Sequence, residues 1–222
     1  MPLISDLIRD LGGVRLYTKF DVWQGYNNIR IKAADAHKAT FKTRQGLHQP
    51  RVMMFGLCNS PTTFQAFMND RYCSMIAKHE ALGTFICIYM DDITVTTKLD
   101  RLPQQVRAAH IAAVSDVLQV ASDNDLYFKL EKCVFHAPSI DYLGVILEEG
   151  VTHMDPVKVK GIRDWPTPTS VKDIRSFLGF CNFYRLFIKG FSTIACPLNE
   201  LTHKNITWKW ESPQQQAFAD LK

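Results

Sequence analysis

The amino-acid sequence predicts an α+β fold: a sheet interleaved with helices, then an all-helical tail. Runs rich in β-branched and aromatic residues at 15–22, 84–89 and 93–97 read as strands, and long stretches of three- and four-residue apolar spacing lie between them. Beyond Gly150 strand signals give way to proline-punctuated helical runs. With 222 residues, 46% of them hydrophobic, the chain suffices for one good core or two small ones.

In chain order, residues 3–11 read as a short helix stopped by Gly12-Gly13. Residues 15–22 alternate as a strand, and 39–43 and 50–54 are shorter strand candidates. Ser60 as N-cap with Pro61 in the first turn predicts a helix to about Lys78, with Phe64, Phe67, Met68, Tyr72, Met75 and Ile76 on its apolar side. Thr84 to Tyr89 and Ile93 to Thr97 form two strands around Asp91-Asp92, where a tight hairpin would turn. Residues 103–122 are helical, with Val106, His110, Ala113, Val114, Val117 and Leu118 on one face. Tyr142 to Leu147 is another strand, and helices follow at about 156–164 and 170–187. Phe177, Phe180, Phe183, Tyr184 and Phe187 recur at helical spacing and read as a buried stripe rather than a base-stacking platform.

No run of 18 apolar residues suggests a membrane span, and none of the six cysteines forms a C-x-x-C pair, so free thiols are expected. Cys133 and His136 have zinc-like spacing, but no second pair follows. Between Val151 and Phe191, seven basic residues (Lys158, Lys160, Arg163, Lys172, Arg175, Arg185, Lys189) face three acids, and that surplus of four equals the whole chain's formal charge of +4. This pattern fits a phosphate-contacting element and equally a solvated helical face.

The chemistry-bearing residues are three carboxylates. Asp21 ends the first strong strand, and Asp91 and Asp92 occupy the predicted hairpin. Gathered in one place they would repel one another unless cations joined them. Magnesium suits such a set, since it takes oxygen ligands together with substrate phosphates. Two such ions about 3.5–4 Å apart support in-line nucleotidyl transfer. Asp-Asp in a turn is also common for purely conformational reasons.

The strings resolve this. KFDVWQGYNNIRI (Lys19–Ile31), FGLCNSPTTFQ (Phe55–Gln65), IYMDDI (Ile88–Ile93), FKLEKCVF (Phe128–Phe135) and YLGVIL (Tyr142–Leu147) resemble, in order, polymerase motifs A to E of the reverse transcriptases of gypsy-type LTR retrotransposons. Asp155–Ile188 resembles that family's thumb, and Trp208–Lys222 its tether toward an RNase H domain.

The resemblance implies a polymerase palm with partial fingers at 1–150, a helical thumb at 151–207 and the start of the tether at 208–222. It implies template-directed DNA synthesis, with Asp21, Asp91 and Asp92 as the catalytic residues and ligands of two Mg2+ ions, with Mn2+ as a substitute. Tyr26 would exclude a 2′-hydroxyl, and Val22, Phe55, Gly56, Gln65 and Lys132 would border the incoming nucleotide, Lys132 as proton donor to pyrophosphate. Pro61 and Phe64 are read as starting and anchoring their helix. Tyr89, Met90, Leu143, Gly144, Lys158, Lys160 and Arg175 would contact primer and template. Implied partners are an RNA or DNA template with its primer, dNTPs, and the protease, RNase H and integrase parts of a pol polyprotein, with no membrane. The implied location is a cytoplasmic virus-like particle.

Met54, His48-Gln49-Pro50-Arg51 and Asn124-Asp125 depart from the family's usual residues, and Met1-Pro2-Leu3 aligns with a segment that normally follows the fingers. Two readings stay open: a polymerase module, or a truncated, inactive remnant with at most nucleic-acid binding.

Overall fold

A computed structural model describes residues 14–98, 102–148, 151–204 and 206–222. The helix expected at 3–11 lies outside them. The chain divides into two compact units between His153 and Met154.

In the first unit, β1 (Val14–Asp21) leads through a 3-10 turn at Gly25–Asn28 to a small hairpin, β2 (Phe41–Thr43) and β3 (Gly46–His48). A short strand was expected at 50–54. Gly46, at φ +123°, turns the chain earlier, and 50–54 keeps only an isolated Arg30–Val52 bridge.

Helix α1 (Ser60–Glu80) follows. Asn59, not Ser60, is its N-cap, because the Ser60 hydroxyl donates to the Met54 carbonyl and Ser60 itself is helical. Next come β4 (Thr84–Tyr89), β5 (Asp92–Lys98) and α2 (Pro103–Asp123). Leu118 is an exception to the expected apolar face of α2: it is exposed, while Val106, His110, Ala113, Val114 and Val117 are buried.

The main sheet has the order β4-β5-β1-β6, with β6 at Val134–Ala137, and its named pairings are antiparallel. Strand alternation sends Phe20, Ile86, Ile88, Ile93 and Val95 into a core with Phe64, Met68 and Tyr72 of α1 and Ala113 and Val117 of α2. Burying side chains of this size stabilises by roughly 1.5–3 kcal/mol each. The same alternation puts Lys19, Asp21, Tyr89 and Asp92 on the opposite face.

A second sheet has the order β7-β8-β9, with β7 at Ser139–Tyr142, β8 at Val145–Glu148 and β9 at Val151–Met154. The single strand expected over Tyr142–Leu147 is therefore a hairpin. Leu143 (φ +47°) and Gly144 (φ +83°) form its turn, a left-handed pair that matches strand twist.

The second unit carries α3 (Pro156–Arg163), α4 (Val171–Phe183), α5 (Phe191–Glu200) and α6 (Ser212–Asp220). Asp155 and Ser170 cap α3 and α4 through Val157 and Asp173 N–H groups. The stretch read as a tether packs here: Phe218 of α6 lies against Phe177, centroids 4.7 Å apart. The aromatic stripe is only partly core. Phe177 and Tyr184 are buried and Phe180 half-buried, but Phe183 and Phe187 are exposed, because α4 ends at Phe183 and a 3-10 turn breaks the periodicity.

Candidate active site

Register brings the carboxylates together. Asp21, the last residue of β1, pairs directly with Asp92, the first of β5. Directly opposed antiparallel residues have Cα atoms about 4.5–5.5 Å apart. Asp92 in turn pairs with Tyr89, so Met90 and Asp91 form a two-residue turn. The Asp91 carbonyl accepts from Val22 N–H at 2.8 Å, fastening the turn to the chain just after β1.

Two lysines hold this cluster. Lys19 Nζ lies 3.2 Å from Asp92 Oδ1, and Lys132 Nζ lies 3.2 Å from Asp21 Oδ2. Burial raises the pKa of Asp92, Lys19 opposes that, and the like charges of Asp91 and Asp21 add to the rise. Lys132 is held above its ordinary range by its hydrogen bond and charge pairing with Asp21. The three carboxylates and both lysines line a cleft of about 350 Å³ with Val134 and Asp141.

Among the described residues, no three His, Cys, Asp or Glu side chains are already gathered at metal-ligand spacing. Two of the three carboxylates have an ammonium group as partner. The donor set nonetheless fits a hard divalent cation, being all oxygen, anionic and set in a cleft. Asp21, Asp91 and Asp92 are the residues that would hold it, with Lys132 leaving Asp21.

Gln65 was expected beside the nucleotide, but it is buried and serves the hairpin from behind. Its Nε2 donates to the Ile88 carbonyl at 3.1 Å and to Asn69 Oδ1 at 2.9 Å, and its Oε1 accepts from Met90 N–H at 2.8 Å. Met90 has φ +56°, a conformation that costs a non-glycine residue roughly 1 kcal/mol or more. Gln65 stabilises that turn by satisfying the Ile88 and Met90 backbone groups on its β4 side. The Val22 side chain is also buried in the core, so only its backbone belongs to the site.

Tyr26 is half-buried in the 3-10 turn after β1. Its ring packs 4.9 Å from Phe55 and edge-on 5.6 Å from Phe64. With Gly25 and Asp91 these rings line a small cavity of about 60 Å³. A Cβ on Gly25 would come within 2.8 Å of Phe64 Cζ, so glycine lets the turn sit down on that ring. Phe64 thus anchors its helix, as expected, and also floors this cavity. Phe55 is exposed, and Gly56 takes φ +95° in open space.

The remaining expected contacts are dispersed. Tyr89 and Met90 are half-buried at the hairpin. Lys158 and Lys160 are exposed in the second unit, where Arg175 donates to the Thr202 carbonyl at 3.0 Å. Cys133 and His136 make no zinc pair: the thiol donates to the Lys129 carbonyl, and the His136 ring packs on His110. Sequence reasoning gave no role to Lys19 or Gly25. Alternation could have found Lys19, two residues before Asp21 and therefore on its face.

An antiparallel sheet backed by two helices, with carboxylates on a strand end and the neighbouring hairpin, is the architecture of a nucleic-acid polymerase palm. The sequence profile of the reverse transcriptase (RNA-dependent DNA polymerase) family matches residues 2–147, and the chain belongs to that family. Reverse transcriptases generally use divalent metal ions. The chain is 32% identical over 223 aligned residues to the Transposon Tf2-3 and Tf2-4 polyproteins of Schizosaccharomyces pombe, covering 100% of this chain and 16% of each polyprotein. It therefore spans about a sixth of the length of these curated relatives.

Among solved structures it resembles the foamy viral protease-reverse transcriptase in complex with an RNA/DNA hybrid, with TM-score 0.79 and 20% identity over 96% of this chain and 28% of that one. It also resembles the dRH form in complex with double-stranded DNA, with TM-score 0.81 and 22% identity over 100% of this chain and 38% of that one. These two likenesses concern the fold.

Proposed function

We propose that the chain is the palm and thumb portion of a retrotransposon RNA-directed DNA polymerase, and that the pairing of Asp21 with Asp92 beside Asp91 carries this reading. The reaction is attack of a primer 3′-hydroxyl on the α-phosphate of a dNTP: the new O–P bond forms as the bond to pyrophosphate breaks. Bound divalent ions, two Mg2+ in this reading, would supply the positive charge that activates the hydroxyl and stabilises the leaving group.

The chain's own residues do the rest. Asp21, Asp91 and Asp92 present oxygens on one edge of the sheet. Tyr26, backed by Phe55 and Phe64, walls the sugar side, so a 2′-hydroxyl would clash with the ring. Lys132, exposed on a 3-10 turn at Leu130–Lys132, holds a proton that it can give to departing pyrophosphate. Lys158 and Lys160 offer sequence-independent phosphate contacts whose strength falls with salt. The RNA/DNA and DNA duplexes bound by the foamy viral relatives support a primer–template as the partner.

Primer extension on an RNA template with Mg2+ and dNTPs tests this reading, with an Asp91→Asn/Asp92→Asn control. Extension by the wild type that drops about 10³-fold or more in the control is the expected outcome. Extension unchanged in the control would refute the site.

A further inference from the structure

The two ammonium groups at the carboxylate cleft differ in kind. Lys132 rises from an irregular turn and is 56% exposed, so it is free to leave Asp21. Lys19 is 19% exposed and stands on a central strand, flanked by Thr94 of β5 and Val134 of β6. Its Nζ is bound on two sides, 3.2 Å from Asp92 Oδ1 and 3.2 Å from the Asp141 carbonyl of β7. A lysine held by a strand, a carboxylate and a neighbouring strand's carbonyl is fixed in place, whereas most surface lysines are solvated points.

We propose that Lys19 is a positioning residue for nucleotidyl transfer: a built-in counter-cation that holds Asp92 in register with Asp21 when no divalent ion is bound. The proposal rests on the reading of the three carboxylates as a divalent-ion site.

The physical need is plain. Three carboxylates at a sheet edge repel one another, and Asp21 and Asp92 are both largely enclosed, their side chains 16% and 21% exposed. Without a partner, the Asp92 carboxylate would turn toward water and the β1–β5 register at Asp21 would loosen. Lys19 neutralises one charge and takes one oxygen of Asp92, leaving the other oxygen free. Lys132 neutralises a second charge and can depart. With both lysines in place the three carboxylates carry one uncompensated charge, on Asp91 at the hairpin tip, and two once Lys132 has left Asp21. Divalent ions thus meet a site that is anionic yet already assembled, as preorganised catalysis requires. Lys19 touches neither substrate nor reacting atoms in this scheme, and its effect passes through Asp92.

The test measures thermal unfolding of wild type, Lys19→Met, Lys19→Arg and Asp91→Asn, each with and without Mg2+, and of Lys19→Met in an Asp92→Asn background. Without divalent ion, Lys19→Met should melt roughly 2–4 °C below wild type. Mg2+ should remove most of that deficit, since it replaces the missing charge. Lys19→Arg should match wild type in both conditions. In the Asp92→Asn background, Lys19→Met should have no further effect, because the charge it serves is gone.

A deficit that Mg2+ leaves untouched, or that persists in the Asp92→Asn background, would make Lys19 a mere strut to Asp141 and overturn the proposal. So would an unchanged melting temperature in Lys19→Met. Failure of the underlying reading looks different: wild type itself would gain nothing from Mg2+ and would behave like Asp91→Asn.

Discussion

Two hairpins of the first unit, β2–β3 and β4–β5, are built by opposite means. In β2–β3 every residue is exposed, three pairs join the strands, and the turn is set locally by Gly46 and by Thr43, whose hydroxyl accepts from Gln45 N–H and donates to the Gly46 carbonyl. In β4–β5 six pairs join the strands, and alternate residues of β4 are buried. The turn there contains no glycine, and Met90 takes a left-handed conformation.

What holds the second turn is tertiary: Gln65 from α1 on one side and the Val22–Asp91 backbone bond on the other. A turn specified by its own residues needs no core. A turn specified by a core places Asp91 relative to Asp21 to the accuracy of packed helices, which phosphoryl chemistry demands.

The largest expected consequence follows from Gln65. Gln65→Ala leaves Met90 N–H and the Ile88 carbonyl without this partner, at a cost of about 1–3 kcal/mol in unfolding free energy. The displaced hairpin should lower single-turnover extension by about 10²-fold. Denaturant titration and quench-flow extension check the two effects, and wild-type values in both would dissolve the contrast between the hairpins.

The next consequence lies deeper. His110 of α2 is buried between Thr18 Oγ1 of β1 (2.8 Å) and Thr97 Oγ1 of β5 (2.9 Å). Burial first, and the charge of His136 second, lower its pKa from 6.5 to about 4. Between those values the unfolded chain binds the proton more tightly, so stability falls as pH drops through this window. From pH 7 to pH 5 wild type should lose about 2 kcal/mol more than His110→Gln. Urea unfolding at the two pH values measures this difference, and equal losses would remove His110 as the titrating support of the sheet.

A smaller effect is expected at Met90→Gly. Relief of the positive φ should stabilise the turn by under about 1 kcal/mol, partly cancelled by the unfolded-state entropy of glycine. Thr43→Ala in the exposed hairpin should fall within about 0.5 kcal/mol of wild type. Denaturant midpoints rank the pair.

Much of this architecture is legible in sequence where periodicity is strong. The strand over 84–89, the helix over 103–122 and a tight hairpin at the paired acids all follow from alternation, helical spacing and turn chemistry, although the turn falls on Met90-Asp91 and Asp92 already opens β5. What resists reading is set by tertiary partners. Ser60 has the chemistry of an N-cap, but its hydroxyl is drawn to the Met54 carbonyl. Leu118 and Phe183 have the right spacing for a core, yet they remain 42% and 45% exposed. Gln65 is a polar residue next to an apolar helical stripe, and no local pattern says that its amide spans two backbone groups of a hairpin 23 and 25 residues away. Lys19 falls between these cases: alternation reveals its face, but only the register reveals that Asp92 is its partner.

The most direct test of the account is Mn2+ binding followed by electron paramagnetic resonance, comparing wild type with folded Asp91→Asn. If the core-held hairpin supplies the divalent-ion site, wild type binds Mn2+ in competition with Mg2+ and Asp91→Asn loses most of that binding. Equal Mn2+ binding by the two proteins would contradict the assignment of the β4–β5 turn as the catalytic edge of the sheet.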